Sequence, residues 1–118
     1  MPRTAIGGTS LINAPGTNNY TGTVVVMLAA DIANQNSFVS TGKEMVIVHN
    51  SGAAPHTVTI NSVNDANLRT QDITAVSVAA DEHRVFGPFK KDGWAQTTNV
   101  IHIEANNAEI EFGVVILP

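Results

Sequence analysis

Alternation is the dominant pattern along this chain. In "HTVTINSV" (56–63), Val58 and Ile60 share one face of an extended segment, while Thr57, Thr59 and Asn61 share the other. That is the period of a half-buried strand. "DITAVSVAA" (72–80) sets Ile73, Ala75 and Ser77 against Thr74, Val76 and Val78, and "NVIHIEA" (99–105) sets Ile101 and Ile103 against His102 and Glu104. "KEMVIVHN" (43–50) and "HRVFGPF" (83–89) read as further strands, with Pro88 marking an edge or an ending. "TVVVMLA" (23–29) is almost wholly apolar, the profile of a strand buried on both faces, and Phe38 and Val39 begin a short strand.

The segments between are rich in turn formers. Ser-Gly-Ala-Ala-Pro between 43–50 and 56–63 predicts a hairpin, and Asn106-Asn107 predicts a second one joining 99–105 to "EIEFGVVILP" (109–118). "NDANLRTQ" is a loop by composition, and Asp92-Gly93 in "KKDGW" is the strongest turn dipeptide. "MLAADIANQN" is rich in Ala but too short and too Asn-rich at its end to carry a helix. About eight short strands without a convincing helix predict an all-β chain. The expectation is a single-domain β-sandwich, jelly-roll-like, of about eight antiparallel strands over residues 23–118. Residues 1–22, dense in Gly, Thr, Asn and Pro with isolated Ile6, Leu11, Ile12 and Tyr20, predict an extended N-terminal arm that docks on another surface. Its deletion should then leave a folded domain.

Composition narrows the function more than the fold. At 118 residues the chain fits one domain with a core of its own. It has no cysteine, which excludes disulfides and thiolate chemistry. Net charge is −4, and only Lys90 and Lys91 are adjacent cations, so nucleic-acid binding by counterion release is not expected. "MPRTAIGGTS" lacks the basic and apolar regions of a secretory signal. "VVVMLAADIA" is too short for a membrane span. The expectation is a soluble protein without membrane contact.

Candidate chemistry is sparse. "HNSGAAPHTVTI" (49–60) resembles the segment that supplies the first histidine ligand of small blue-copper proteins, but such a site needs a cysteine. His49, His56, His83 and His102 lie on separate strands or strand ends without ligand spacing, so no metal is expected. His56 falls on the side of Val58 and Ile60, at the strand's end, as a hydrogen-bonding rim residue. Glu109 and Glu111 share a strand face and Asp81-Glu82 share a turn, better explained as polar surface than as an acid–base pair. Asp65 and Asp72 sit in an Asx-rich turn without calcium-loop spacing. No nucleophile elbow or phosphate loop is present, and "NYT" (19–21) is a bare glycosylation pattern. The single Trp and single Tyr do not make the aromatic row of a common carbohydrate-binding module. Trp94, near Phe86 and Phe89, predicts a core or subunit-contact role.

Three segments carry a family likeness: "GKEMVIVHNSGAAPHTVTINSVNDANLRTQDIT", "HRVFGPF…GWAQ" and "AEIEFGVVILP". Together they resemble small β proteins encoded among the virion genes of tailed bacteriophages. The resemblance implies a capsid cement or decoration protein without enzymatic activity or cofactor. It would be made in the host cytoplasm and carried on the capsid exterior, with the major capsid protein and its own copies (often as trimers) as partners. Arg3, Ile6, Leu11, Ile12, Tyr20 and Trp94 are the residues expected at those protein interfaces. A tail- or fibre-associated component, a small carbohydrate- or ligand-binding module and a metal-dependent enzyme are the alternatives.

Overall fold

A computed structural model describes residues 3–11 and 24–118 of the chain. Within them no helix forms, and the chain is built from β1 (Thr4–Ala5), β2 (Gly8–Ser10), β3 (Leu28–Ala29), β4 (Asn36–Val39), β5 (Glu44–Asn50), β6 (His56–Ile60), β7 (Ile73–Val78), β8 (His83–Phe89), β9 (Val100–Ala105) and β10 (Ile110–Ile116). One sheet has the order β1-β4-β9-β6-β7 and the other β2-β10-β5-β8, with β3 also paired to β10. The chain is an all-β sandwich, as its alternation predicts.

Alternation places the core. In β5, Val46 and Val48 are fully buried while Met45, Ile47 and His49 between them are only partly covered. Opposite them stand Val58 and Ile60 of β6 and Ile101 and Ile103 of β9, all fully buried. Phe38, Phe112, Val114, Ile110, Val78 and Phe89 complete the layer between the sheets. Each such side chain contributes roughly 1.5–3 kcal/mol by leaving water, the main term set against the chain entropy lost on folding.

The connections differ from the expectation. β5 and β6 lie in different sheets, as do β9 and β10, so neither pair is a hairpin. Only β6 and β7 are joined within one sheet among the later strands, and each other step from β4 to β10 crosses the sandwich. Asn50 shows why the Ser-Gly-Ala-Ala-Pro stretch is a corner. Its fully buried side-chain amide donates to the carbonyls of Ala54 and Val78, at 2.8 and 2.9 Å, and its Oδ1 accepts the Gly52 N–H at 2.9 Å. A corner held by three bonds to a buried amide satisfies the polar groups that a sheet change would otherwise strand.

The N-terminal residues differ too. β1 pairs in parallel with β4, through Thr4 beside Asn36 and Ala5 beside Ser37. β2 pairs in parallel with β10, through Gly8 to Ser10 beside Val114 to Ile116. Ile6, between them, is 3% exposed and belongs to the core. Residues 3–11 are thus strands of the sandwich itself, spanning from one sheet to the other, where the sequence predicted an arm outside it. A Cβ at Gly8 would meet Ile116 Cδ1 at 2.8 Å, so this strand sits close against its neighbour.

Candidate functional site

Residues 24–29 do not form the doubly buried strand that their composition predicts. Only Leu28 and Ala29 pair, with Phe112 and Glu111 of β10, because β2 occupies the remainder of that edge. The preceding residues pass over the outer face of β10. Val25 and Met27 cover Gly113, where a Cβ would meet Met27 Sδ at 2.5 Å and Val25 Cγ1 at 2.8 Å. Extended chain alternates, so Val24 and Val26 turn outward, 81% and 72% exposed, while Leu28, opposite Phe112 at the sheet edge, is 38% exposed. On the same sheet face, Gly113 lies beside Ile47, and Ile47 beside Val85, which is 56% exposed. The result is an apolar surface of a kind that marks contact with another macromolecule.

An ionic row borders this surface. Glu111, His49 and His83 are cross-strand neighbours on β10, β5 and β8. His49 Nδ1 lies 3.0 Å from Glu111 Oε1 and Nε2 lies 3.0 Å from Asp81 Oδ1, while its ring stacks on His83 with centroids 4.0 Å apart. Both nitrogens can donate to a carboxylate at once only in the imidazolium form. The hydrogen bond to Asp81, then that to Glu111, accordingly raises the His49 pKa above its ordinary 6.5. The same contact with His49 lowers the pKa of Asp81. His56 Nε2 pairs separately with Glu109 Oε1 at 2.9 Å, at the rim where its strand begins. No group of three or more metal-ligating side chains converges among the described residues.

The expected interface residues fall in different places. Arg3 bonds the Asn36 carbonyl at 3.1 Å and pairs with Glu104 at 3.0 Å, across β4 and β9. Nearby His102 is shifted down in pKa, first by burial and then by the Arg3 charge. Ile6 is a core residue, which removes it from any contact surface of this fold. Leu11 is half-buried, its N–H donating to the Ile116 carbonyl at 2.8 Å. Ile12 and Tyr20 lie outside the described residues. Trp94 is half-buried and meets Phe89 edge-on, with centroids 5.0 Å apart and planes at 63°. Sequence reasoning missed the outward valines, because an apolar run looks the same whether or not the fold finds room to cover it.

A concavity lies between the 61–72 and 90–94 loops. It has a volume of about 250 Å³, and Trp94, Asp65, Arg69, Gln71, Lys90 and Asp92 line it. The Val63 N–H donates to the Gly93 carbonyl at 2.8 Å, tying the two loops together. Asp65 Oδ1 accepts the backbone N–H groups of Asn67 and Arg69, and Oδ2 accepts from the Arg69 guanidinium at 2.9 and 3.0 Å. These contacts, the Arg69 N–H foremost, hold the Asp65 carboxyl below its usual range. The sequence marked this region only as a loop and a turn.

Comparison with protein-family models, curated proteins and solved structures gives no match for this chain.

Proposed function

We propose that this chain is a non-enzymatic virion structural protein, a capsid cement or decoration protein that binds the outer shell and bridges major capsid subunits. The observation that carries this reading is the outward pair Val24 and Val26, on the segment that passes over Gly113, together with exposed Val85 on the sheet face that Gly113 and Ile47 share. An extended strip on a stiff sheet can be covered by a flat protein surface without reorganising the domain, so little ordering entropy opposes the contact. The likeness of "GKEMVIVHNSGAAPHTVTINSVNDANLRTQDIT", "HRVFGPF…GWAQ" and "AEIEFGVVILP" to tailed-phage virion proteins supplies the partner class. Cement of this kind acts by mass action: it binds the assembled shell but not its separated subunits, which stabilises the shell. Self-association, as a trimer or another closed ring, would multiply weak contacts on a symmetric lattice.

The test uses shells assembled from the major capsid protein of the genome that encodes this chain, and a genome with no such protein overturns the reading. The expected result is saturable co-sedimentation and a higher temperature of shell disruption. The double substitution Val24→Ser, Val26→Ser should weaken binding while leaving the domain's own melting temperature unchanged. Absence of binding to both unexpanded and expanded shells overturns the reading. Imaging that places the protein on tails or fibres would transfer it to the alternative virion role.

A further inference from the structure

We infer that the cleft between the 61–72 and 90–94 loops is a binding site for one neutral pyranose ring of a glycan. The reading begins with the indole. Trp94 is the only tryptophan of the chain, and packing against Phe89 and the core leaves the smaller part of it open to the cleft it lines. An indole face against the C–H face of a sugar ring buries apolar surface on both partners. Around it stand polar groups that hydroxyls require: the Asp92 carboxylate, the Gln71 amide, the Lys90 ammonium and the Nη1 of Arg69, whose Nε and Nη2 are taken by Asp65. Carboxylates accept, guanidinium donates and the amide does both, so adjacent hydroxyls of a ring can be matched in either sense.

Three further observations narrow the class. The two carboxylates of Asp65 and Asp92 balance the two cations of Arg69 and Lys90. That leaves no net field to select an anionic ligand such as a phosphate or a sulfated sugar. The volume, about 250 Å³, falls under the roughly 300–1,000 Å³ typical of sites for drug-sized ligands, and so fits a single ring. Asp65, Arg69 and the loop backbones that carry the other groups are also fixed before a ligand arrives. The Asp65 side chain is held by two backbone N–H groups and Arg69, and the loops are joined by the Val63–Gly93 bond. Fixed groups reduce the ordering cost that otherwise consumes most of the affinity for a small polar ligand. The site is a pocket for one ring, usually a chain end, and needs no row of aromatics. A decorated particle would present many copies, so weak single-site binding becomes firm attachment to a glycan-bearing surface.

The experiment exploits the lone tryptophan. The full chain is titrated with the methyl glycosides of glucose, galactose and mannose, followed by intrinsic fluorescence and by the indole N–H resonance. A sialylated and a sulfated sugar serve as charged controls. The expected result is a saturable response to at least one neutral glycoside at millimolar concentration. The exposed double substitution Gln71→Ala, Asp92→Ala should keep the native melting curve and weaken binding by about tenfold or more. Trp94→Ala should abolish binding by calorimetry; if it does not fold, the double variant decides alone. No saturable response to any neutral sugar, an unchanged affinity in the double variant, or a response only to the charged sugars overturns the inference. Shell binding by the double variant should be intact, so loss of the sugar site and loss of the cement role are read separately.

Discussion

The two long sides of the sandwich manage their edges in opposite ways. On one side β1 and β2 lie in parallel against β4 and β10, and Ile6 between them drops into the core and links the sheets. On the other side β7 and β8 end their sheets with no further strand among the described residues, and more than half of their positions are exposed. That open side defends itself locally. The pairing of β6 with β7 shifts register between Val58 and Ile60, and Ala75 has φ +48°, so β7 carries a bulge. Pro88 withholds an N–H from the β8 edge, and His83 and Arg84 place polar groups along it. All three are recognised ways of discouraging strand addition. The contrast teaches that one edge is covered by chain and contributes stability, whereas the other is guarded by irregularity and contributes little.

The sharpest way to break this contrast is to shorten one apolar residue on each side. Ile6→Ala removes core volume at a site that cannot collapse without parting the two sheets, and should cost about 2–5 kcal/mol. Val85→Ala, on an exposed outer position of β8, should stay within about 0.5 kcal/mol. Urea denaturation of both variants measures the difference. Equal losses would mean that residues 3–11 do not close the fold. Deleting residues 1–20 should for the same reason destabilise the domain, contrary to the sequence expectation that it folds without them.

The second expected effect is electrostatic and also belongs to the closed side. Glu44, 1% exposed, accepts the backbone N–H groups of Thr41, Gly42 and Lys43 and the Thr41 hydroxyl. Burial raises its pKa, but the Thr41 hydroxyl and the backbone N–H groups outweigh burial and leave it below 4.5. A group with a depressed native pKa stabilises fully above its unfolded pKa, and that contribution is lost as pH falls through the native value. Glu44→Gln presents an amide donor to donors and should cost about 1–3 kcal/mol at neutral pH. Chemical denaturation of both proteins should show the gap closing in acid. A gap independent of pH would assign the loss to packing instead of charge.

What the sequence disclosed follows the same division. The strand at 43–50 and the alternation of Val58 to Ile60 and of Ile101 to Ile103 were legible because each strand meets water on one face and core on the other. Pro88 correctly announced an edge. The closing strands were illegible, because segments of two and three residues have no period and are held by partners more than 30 positions away. The corner at Asn50 passed for a hairpin, since turn residues report a bend but not which sheet the next strand joins. Val24 and Val26 passed for core for a similar reason: hydrophobicity does not say whether β2 already holds the edge. Of the cleft, Asp92-Gly93 and Trp94 were visible singly. Their meeting with Asp65 and Arg69 depends on the Val63–Gly93 bond, which no local pattern encodes.

The smallest expected effect comes from the ionic row at the open end, where the pH dependence should have the opposite sign to that of Glu44. His49 gains its stabilisation as an imidazolium between Asp81 and Glu111, with Asp81 largely in solvent and the His83 ring stacked alongside. Its native pKa is raised above 6.5, so the contribution is whole below that value and fades as pH rises through the native pKa. The exposure of Asp81 keeps the effect small, because water and salt screen that partner. His49→Gln should therefore lower the melting temperature slightly near pH 5 and hardly at all near pH 8. Added salt should shrink the difference at the lower pH while leaving the Ile6→Ala deficit in place. A His49→Gln deficit that grew toward pH 8 would show that the neutral ring, held by stacking on His83, is what the open side depends on.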